Sequence, residues 1–263
     1  MYKKTLIILP GWGGTKETWK EFTNFAGKDF EVQIINLPCF GDEPCPDTAW
    51  GVEDYVEFVK NNLSNCHSRP VSRYGVNSSG NPEIETLDPC FRRDDKVVLL
   101  GHSFGGQIAA YLVATNPDIV DRLILSGPAV FRPKKYTKRA IAYSISKIGK
   151  LFFKLPLISK YENGLKNIFY NLIRAKDYHE SSGIKRDIFK KIIRQDLSDV
   201  LPQISLPTLI IWGDSDAYLP ISDAYKLNKL IKNSKLEIIK NGRHGLHLQM
   251  PEKLYKIIYD FCN

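Results

Sequence analysis

The sequence predicts an α/β fold, a mainly parallel sheet of about six strands flanked by helices and interrupted by one helical insertion. Three observations carry that expectation. Short apolar or β-branched runs recur at Thr5–Leu9, Glu31–Asn36, Lys96–Leu100, Arg122–Leu125, Thr208–Trp212 and Leu236–Lys240. Most are followed by a loop and a helix-like run, and strands joined through helices pair in parallel because each crossover must return across the sheet. Residues 129–203 break this alternation: they hold several helix-like pieces and no convincing strand. With 263 residues, 43% of them hydrophobic, the chain is long enough to bury one sizeable core.

The first run leads into "LIILPGWGG", Leu6 to Gly14, a strand ending in a glycine-rich turn that exposes backbone N–H groups. Taken alone this is a plain βα turn. Too few apolar residues precede Pro10 for a secretory h-region and no apolar stretch could span a bilayer, so a cytoplasmic location is expected. The five cysteines, Cys39, Cys45, Cys66, Cys90 and Cys262, are odd in number and lack metal-ligand spacing. Free thiols in a reducing compartment are expected, with a Cys66–Cys90 bridge as the alternative. Neither a metal nor a cofactor is implied.

Residues 65–95, "NCHSRPVSRYGVNSSGNPEIETLDPCFRRDD", are rich in Pro, Ser, Asn, Gly and charge and poor in large apolar side chains. They read as a flexible surface insert without chemistry. The wording is similar to the translated product of a short palindromic element that inserts in frame into bacterial genes.

Next comes "VVLLGHSFGGQIAAY", Val97 to Tyr111. Its apolar start, its glycines and the helical spacing of Ile108, Tyr111 and Leu112 read as strand, tight turn, helix, with Ser103 on the turn. Gly101 and Gly105 suit a strained serine, since a side chain there would meet neighbouring backbone. The pattern is that of a nucleophile elbow, although a helix-capping serine would also account for it.

The insertion at 129–203 includes "RAIAYSISKIGKLFF" and "RDIFKKIIRQDL". Between Arg132 and Arg194 there are 17 Lys and Arg against four acids, a local charge of +13 in a chain of net +8, so the remainder carries −5. Basicity confined to one segment argues against a generally nucleic-acid-binding surface and for a local electropositive face. The chain closes with a helix behind Pro251 in which Leu254, Ile257, Ile258 and Phe261 repeat at helical spacing.

Two further stretches extend the chemistry suggested at Ser103. "LIIWGDSDAYLP", Leu209 to Pro220, delivers Asp214 and Asp216 into the loop after a strand; "IIKNGRHGLHLQMPE", Ile238 to Glu252, puts His244 just beyond another. Each alone fits a solvated loop. Together Ser103, Asp216 and His244 follow the order nucleophile, acid, histidine.

These motifs resemble the α/β-hydrolase superfamily, in particular its small serine esterases, with their "HGWGG", "GHSFGG", "WGxxDxxxP" and "GHxxxLxxPE" signatures. The resemblance covers nearly the whole chain apart from 65–95. It implies Ser103 as nucleophile, His244 as general base, Asp216 as the acid, and the backbone N–H groups of Trp12 and Phe104 as the oxyanion hole. Asp214 falls at a variable position. It further implies a hydrolase core in two parts, 1–128 and 204–263, with 129–203 as a helical cap over the site. Pro10, Cys39 and Arg243 depart from the pattern, and Asn36 stands where aspartate is frequent. The expected activity is carboxylic-ester hydrolysis through an acyl-enzyme. C–C bond hydrolysis, thioester cleavage, acyl transfer, or ligand binding without catalysis on the same scaffold remain alternatives. A basic cap carrying Phe152, Phe153, Leu155 and Ile158 suits a small ester or acyl substrate, an anionic lipid surface or an acidic acyl carrier. Packed cap helices with their lysines in water would look the same.

Overall fold

The computed structural model describes residues 3–66, 71–76, 82–87, 97–132 and 183–263; for 64–66, 71–76 and 82–87 the backbone alone is described. In chain order its elements are β1 (Lys4–Leu9), α1 (Lys20–Ala26), β2 (Phe30–Ile34), α2 (Val52–Cys66), β3 (Val71–Val76), β4 (Pro82–Leu87), β5 (Val97–His102), α3 (Phe104–Thr115), β6 (Arg122–Ser126), α4 (Gly183–Ile192), β7 (Thr208–Gly213), α5 (Ile221–Leu230), β8 (Ser234–Ile239), α6 (Leu246–Gln249) and α7 (Pro251–Cys262). Six strands form one sheet in the order β2-β1-β5-β6-β7-β8, every neighbouring pair parallel. All six expected runs are therefore strands, with β5 and β7 reaching one or two residues further toward the loops that matter below.

Continuous apolar runs in β1, β5 and β7 reflect a sheet covered on both faces, since successive side chains point to opposite sides. Ile7, Leu9, Leu99, Leu123, Leu125, Ile210 and Trp212 pack on one side with residues of α2, α3, α4 and α5. Leu6, Ile8, Val98, Leu100, Ile124, Leu209 and Ile211 pack on the other with α1, α6 and α7. In α7, Leu254 and Ile258 are buried, while Ile257 and Phe261 lie at the edge of the core.

Two expectations need correction. Residues 71–76 and 82–87 are not loop but an antiparallel hairpin, pairing Val71 with Leu87 through Val76 with Pro82. Val71, Tyr74, Val76, Ile84 and Thr86 supply strand-forming residues that the Pro, Ser and Gly content of the segment conceals. Cys39 and Cys45 are not free thiols but a disulfide. Their loop folds back on itself, the Cys39 N–H donating to the Pro44 carbonyl at 3.2 Å and Phe40 N–H to Leu37 at 3.0 Å, which brings together two cysteines that spacing alone leaves apart. Cys262 is free and buried. The Cys66–Cys90 pair, the helix expected at 139–153 and Phe152, Phe153, Leu155 and Ile158 lie outside the described side chains. No helix among the described residues is long and apolar enough to cross a membrane.

From "RDIFKKIIRQDL", α4 takes the first seven residues and ends at Ile192. It is fastened to α3 by a buried polar contact: Gln107 Nε2 donates to the carbonyls of Ile192 (3.3 Å) and Gln195 (3.2 Å), and Gln107 Oε1 accepts from Arg132 Nη2 (3.1 Å). The same Arg132 nitrogen also reaches Ile192 O at 3.1 Å. A buried amide with both ends satisfied ties α4 to α3 specifically.

Candidate active site

Ser103 lies where β5 hands over to α3, with φ 51° and ψ −112°, a strained backbone for a residue with a Cβ. Two glycines make this turn possible. A Cβ on Gly105 would sit 2.1 Å from the Leu9 carbonyl oxygen, and one on Gly101 would sit 2.6 Å from that of Gly105. The close approach locks the start of α3 against the end of β1, and a Cβ on Gly11 in the turn after β1 would lie 3.1 Å from Ser103 Cβ. Ser103 is half-buried, and its N–H donates to Ser126 O at 3.1 Å.

His244 and Asp216 arrive on the loops after β8 and β7. Those loops are clamped together: Ser215 N–H donates to Gly242 O at 2.9 Å, and Asp214 Oδ1 accepts the Asn241 N–H at 2.7 Å. Asp214 thus binds the left-handed turn at Asn241 (φ 59°) and leaves Asp216 to face the imidazole. His244 Nδ1 lies 2.7 Å from Asp216 Oδ2. The Asp216 side chain is only 2% exposed, and its Oδ1 accepts the N–H groups of Tyr218 (2.7 Å) and Leu219 (2.9 Å). An ionised carboxylate bonded in this way fixes the Nδ1–H tautomer of its histidine and leaves Nε2 as the free base. A Cβ on Gly127, the residue after Ser126, would lie 3.4 Å from His244 Nδ1 and 3.6 Å from Asp216 Oδ2. The pair therefore packs against the β6 end next to the residue that holds Ser103. Among the hydrogen bonds of the described residues there is none between Ser103 Oγ and His244. Such contacts commonly tighten only when substrate is bound.

Trp12 follows Gly11, and Phe104 begins α3. Among the described residues neither backbone N–H has an acceptor, so both remain available as donors. The Trp12 ring is set by three others, with centroids 4.8 Å from Phe40, 5.7 Å from Phe104 and 4.9 Å from Phe189 of α4. Pro10, in place of the usual histidine, is buried, and the Arg243 N–H donates to Gln249 Oε1 at 2.7 Å.

Sequence reasoning overlooked two histidines. His102 is buried beneath the elbow, its Nδ1–H donating to Ser126 O at 2.9 Å and its ring centroid 4.9 Å from that of His244. Burial holds its imidazole well below the ordinary value, with His244 and His247 adding charge repulsion. His247 on α6 stacks on Trp19 at 4.1 Å and touches His102 at 4.8 Å. Burial, and secondarily His244, push it down to about 4. Trp19 Nε1 and His247 Nδ1 are both buried and have no hydrogen-bond partner among the described residues. A histidine three residues after His244, at the head of an amphipathic C-terminal stretch, was the available signal.

A six-stranded parallel sheet with helices on both faces and a serine on a glycine-walled strand-to-helix turn defines an α/β-hydrolase fold. The chain belongs to the serine aminopeptidase S33 family (Hydrolase_4) of that superfamily, whose model matches residues 85–250. It is a serine hydrolase of the α/β fold. In sequence it is similar to the monoacylglycerol lipase ABHD6 of Mus musculus, 26% identical over 289 residues that cover 99% of this chain and 76% of that one. Among solved structures it resembles a membrane phospholipase A described as a bacterial virulence factor (TM-score 0.68, 23% identity, covering 99% of this chain and 78% of that one). It also resembles an esterase from Exiguobacterium antarcticum (TM-score 0.66, 20% identity, covering 98% and 91%).

Proposed function

We propose that this hydrolase cleaves carboxylic esters through an acyl-enzyme on Ser103, with His244 as general base, Asp216 as its orienting acid, and the N–H groups of Trp12 and Phe104 as the oxyanion hole. The observation that carries this reading is the hydrogen bond from His244 to the buried, doubly anchored Asp216 carboxylate, beside a serine held on a strained turn. A serine hydroxyl is a poor nucleophile at neutral pH and needs a base for its proton. His244 Nε2 takes that proton as Oγ attacks the ester carbonyl, and Asp216 stabilises the imidazolium without accepting a proton itself. The two amides receive the tetrahedral oxyanion, each donor worth about 3 kcal/mol in comparable sites. His244 then gives the proton to the departing alkoxide, releasing the alcohol. Water, deprotonated by the same imidazole, attacks the acyl-enzyme; the carboxylic acid leaves and Oγ recovers its proton.

The names of the relatives, a lipase, a phospholipase and an esterase, support esters as the bond cleaved and acyl glycerides as the first substrates to try. In this reading residues 129–203 form the cap, and α4 is the part of it whose Phe189 ring meets Trp12. The test is turnover of a chromogenic ester series from acetyl to long-chain acyl, with Ser103→Ala alongside and intact-mass detection of the acylated enzyme. Turnover that falls by at least about 10³-fold in the variant is expected. Equal rates in the two proteins would refute the mechanism, and cleavage of thioesters or diketones in preference to esters would reassign the bond.

A further inference from the structure

We propose that Lys185 is a specificity-determining residue that binds a negatively charged group, carboxylate or phosphate, carried by the ester substrate. The inference rests on the ester hydrolysis proposed above and names the class of substrate that site takes. Lys185 and Phe189 are four residues apart on α4 and so share one face of the helix. Phe189 lays its ring 4.9 Å from Trp12, and Lys185 holds its ammonium 4.5 Å from the centroid of Phe40. Phe40 is buried and packs 4.8 Å from Trp12 in turn. One helix face thus delivers an aromatic ring to Trp12 and a cation to Phe40, and Gly11, the residue before Trp12, lies so close to the elbow that a Cβ on it would sit 3.1 Å from Ser103 Cβ.

Charge accounting separates this lysine from its neighbours. Lys190 pairs with Asp187 at 2.9 Å, and Lys191 reaches Asp54 at 3.5 Å and the Ala49 carbonyl at 3.0 Å. Among the described residues Lys185 has no carboxylate partner, although Asp42 and Glu43 follow Phe40 by only two and three positions. It is half-buried, and its ammonium lies over a ring face with no carboxylate partner among the described residues. An anion on the substrate supplies a counter-ion at the moment the acyl or alcohol portion lies along Trp12 and Phe189. A lysine serving only to cover Phe40 with its methylene stem would be indifferent to the charge of the substrate.

The experiment measures kcat/KM for three esters of one acyl group, whose alcohol carries a neutral, a carboxylate or a phosphate substituent, each below its aggregation concentration. Wild type, Lys185→Met and Lys185→Glu are compared after circular dichroism shows native folding. The ratio of anionic to neutral kcat/KM is expected to fall about tenfold in Lys185→Met and further in Lys185→Glu, through KM. The anion whose ratio falls more is the one the site takes. A ratio unchanged across the three proteins, or a uniform loss on all three esters, overturns the assignment. Wild type that turns over none of the esters overturns the ester-hydrolase reading instead.

Discussion

His244 and Asp216, 28 positions apart and on separate loops, meet in a 2.7 Å hydrogen bond whose carboxylate is held by two further amides, those of Tyr218 and Leu219. The anchoring decides what a substitution does. In Asp216→Asn the Oδ1 acceptor for both amides survives, so the loop keeps its shape, but an NH₂ group now faces His244 Nδ1 and forces the wrong tautomer. A fall in kcat of about 10⁴ is expected with Tm little changed. Steady-state kinetics and a melting curve on the same preparation check it.

Asp214, two residues earlier, has the opposite profile. Its carboxylate accepts the Asn241 N–H and the Ser215 hydroxyl, so it holds the two loops together and does not touch the imidazole. Asp214→Ala is expected to cost about 1–2 kcal/mol of stability, read from denaturant unfolding, and to lower kcat far less than Asp216→Asn does.

The Ser103 turn reverses an ordinary preference. In the interior of a helix or strand alanine is more stable than glycine, but at φ 51° every L side chain is strained. Ser103→Gly is therefore expected to unfold at a higher denaturant midpoint than Ser103→Ala, by about 1 kcal/mol, with both inactive. The reverse order would mean that the turn is relaxed.

Much of this architecture was legible because it rests on local pattern. Strands covered on both faces must be apolar throughout, so β1, β5, β6 and β7 announce themselves, and Ser103, Asp216 and His244 each stand at a strand end with glycine nearby. What stayed hidden depends on contacts between distant segments. His102 and His247 look unremarkable until Trp19 and Ser126 close over them. The Cys39–Cys45 bridge needs a loop that turns back within six residues. Gln107 reads as a polar residue on a helix, yet it is buried, because carbonyls at the end of α4 and Arg132 take up its whole amide.

That amide sets the seat of α4. Gln107→Leu keeps the volume but takes the Gln107 donor from the Gln195 carbonyl and the Oε1 acceptor from Arg132 Nη2, which still reaches Ile192 O. A loss of about 2 kcal/mol is expected. Because α4 carries Phe189 onto Trp12, the acyl-chain preference should shift through KM more than through kcat. An unaltered chain-length profile would show that α4 keeps its position without this contact.

The buried histidines make stability depend on pH in a defined window. His247 titrates at about 4 in the folded protein, against 6.5 unperturbed, because burial disfavours its charged form. Above pH 6.5 neither state binds the proton and the fold has its full stability. As pH falls below 6.5 the unfolded chain takes up a proton that the folded one refuses, so stability drops until the folded imidazole is also protonated near pH 4. The whole effect is on the order of 3 kcal/mol, and His102, also depressed by burial, acts with the same sign. Carboxylates contribute in acid too, so the informative quantity is a difference between proteins. His247→Phe keeps a ring to stack on Trp19, removes the buried Nδ1 and abolishes the titration. Between pH 7 and pH 5 the variant should lose about 2 kcal/mol less than wild type in urea unfolding. Parallel losses in the two proteins would mean that water reaches His247 and that its imidazole titrates as an exposed one does.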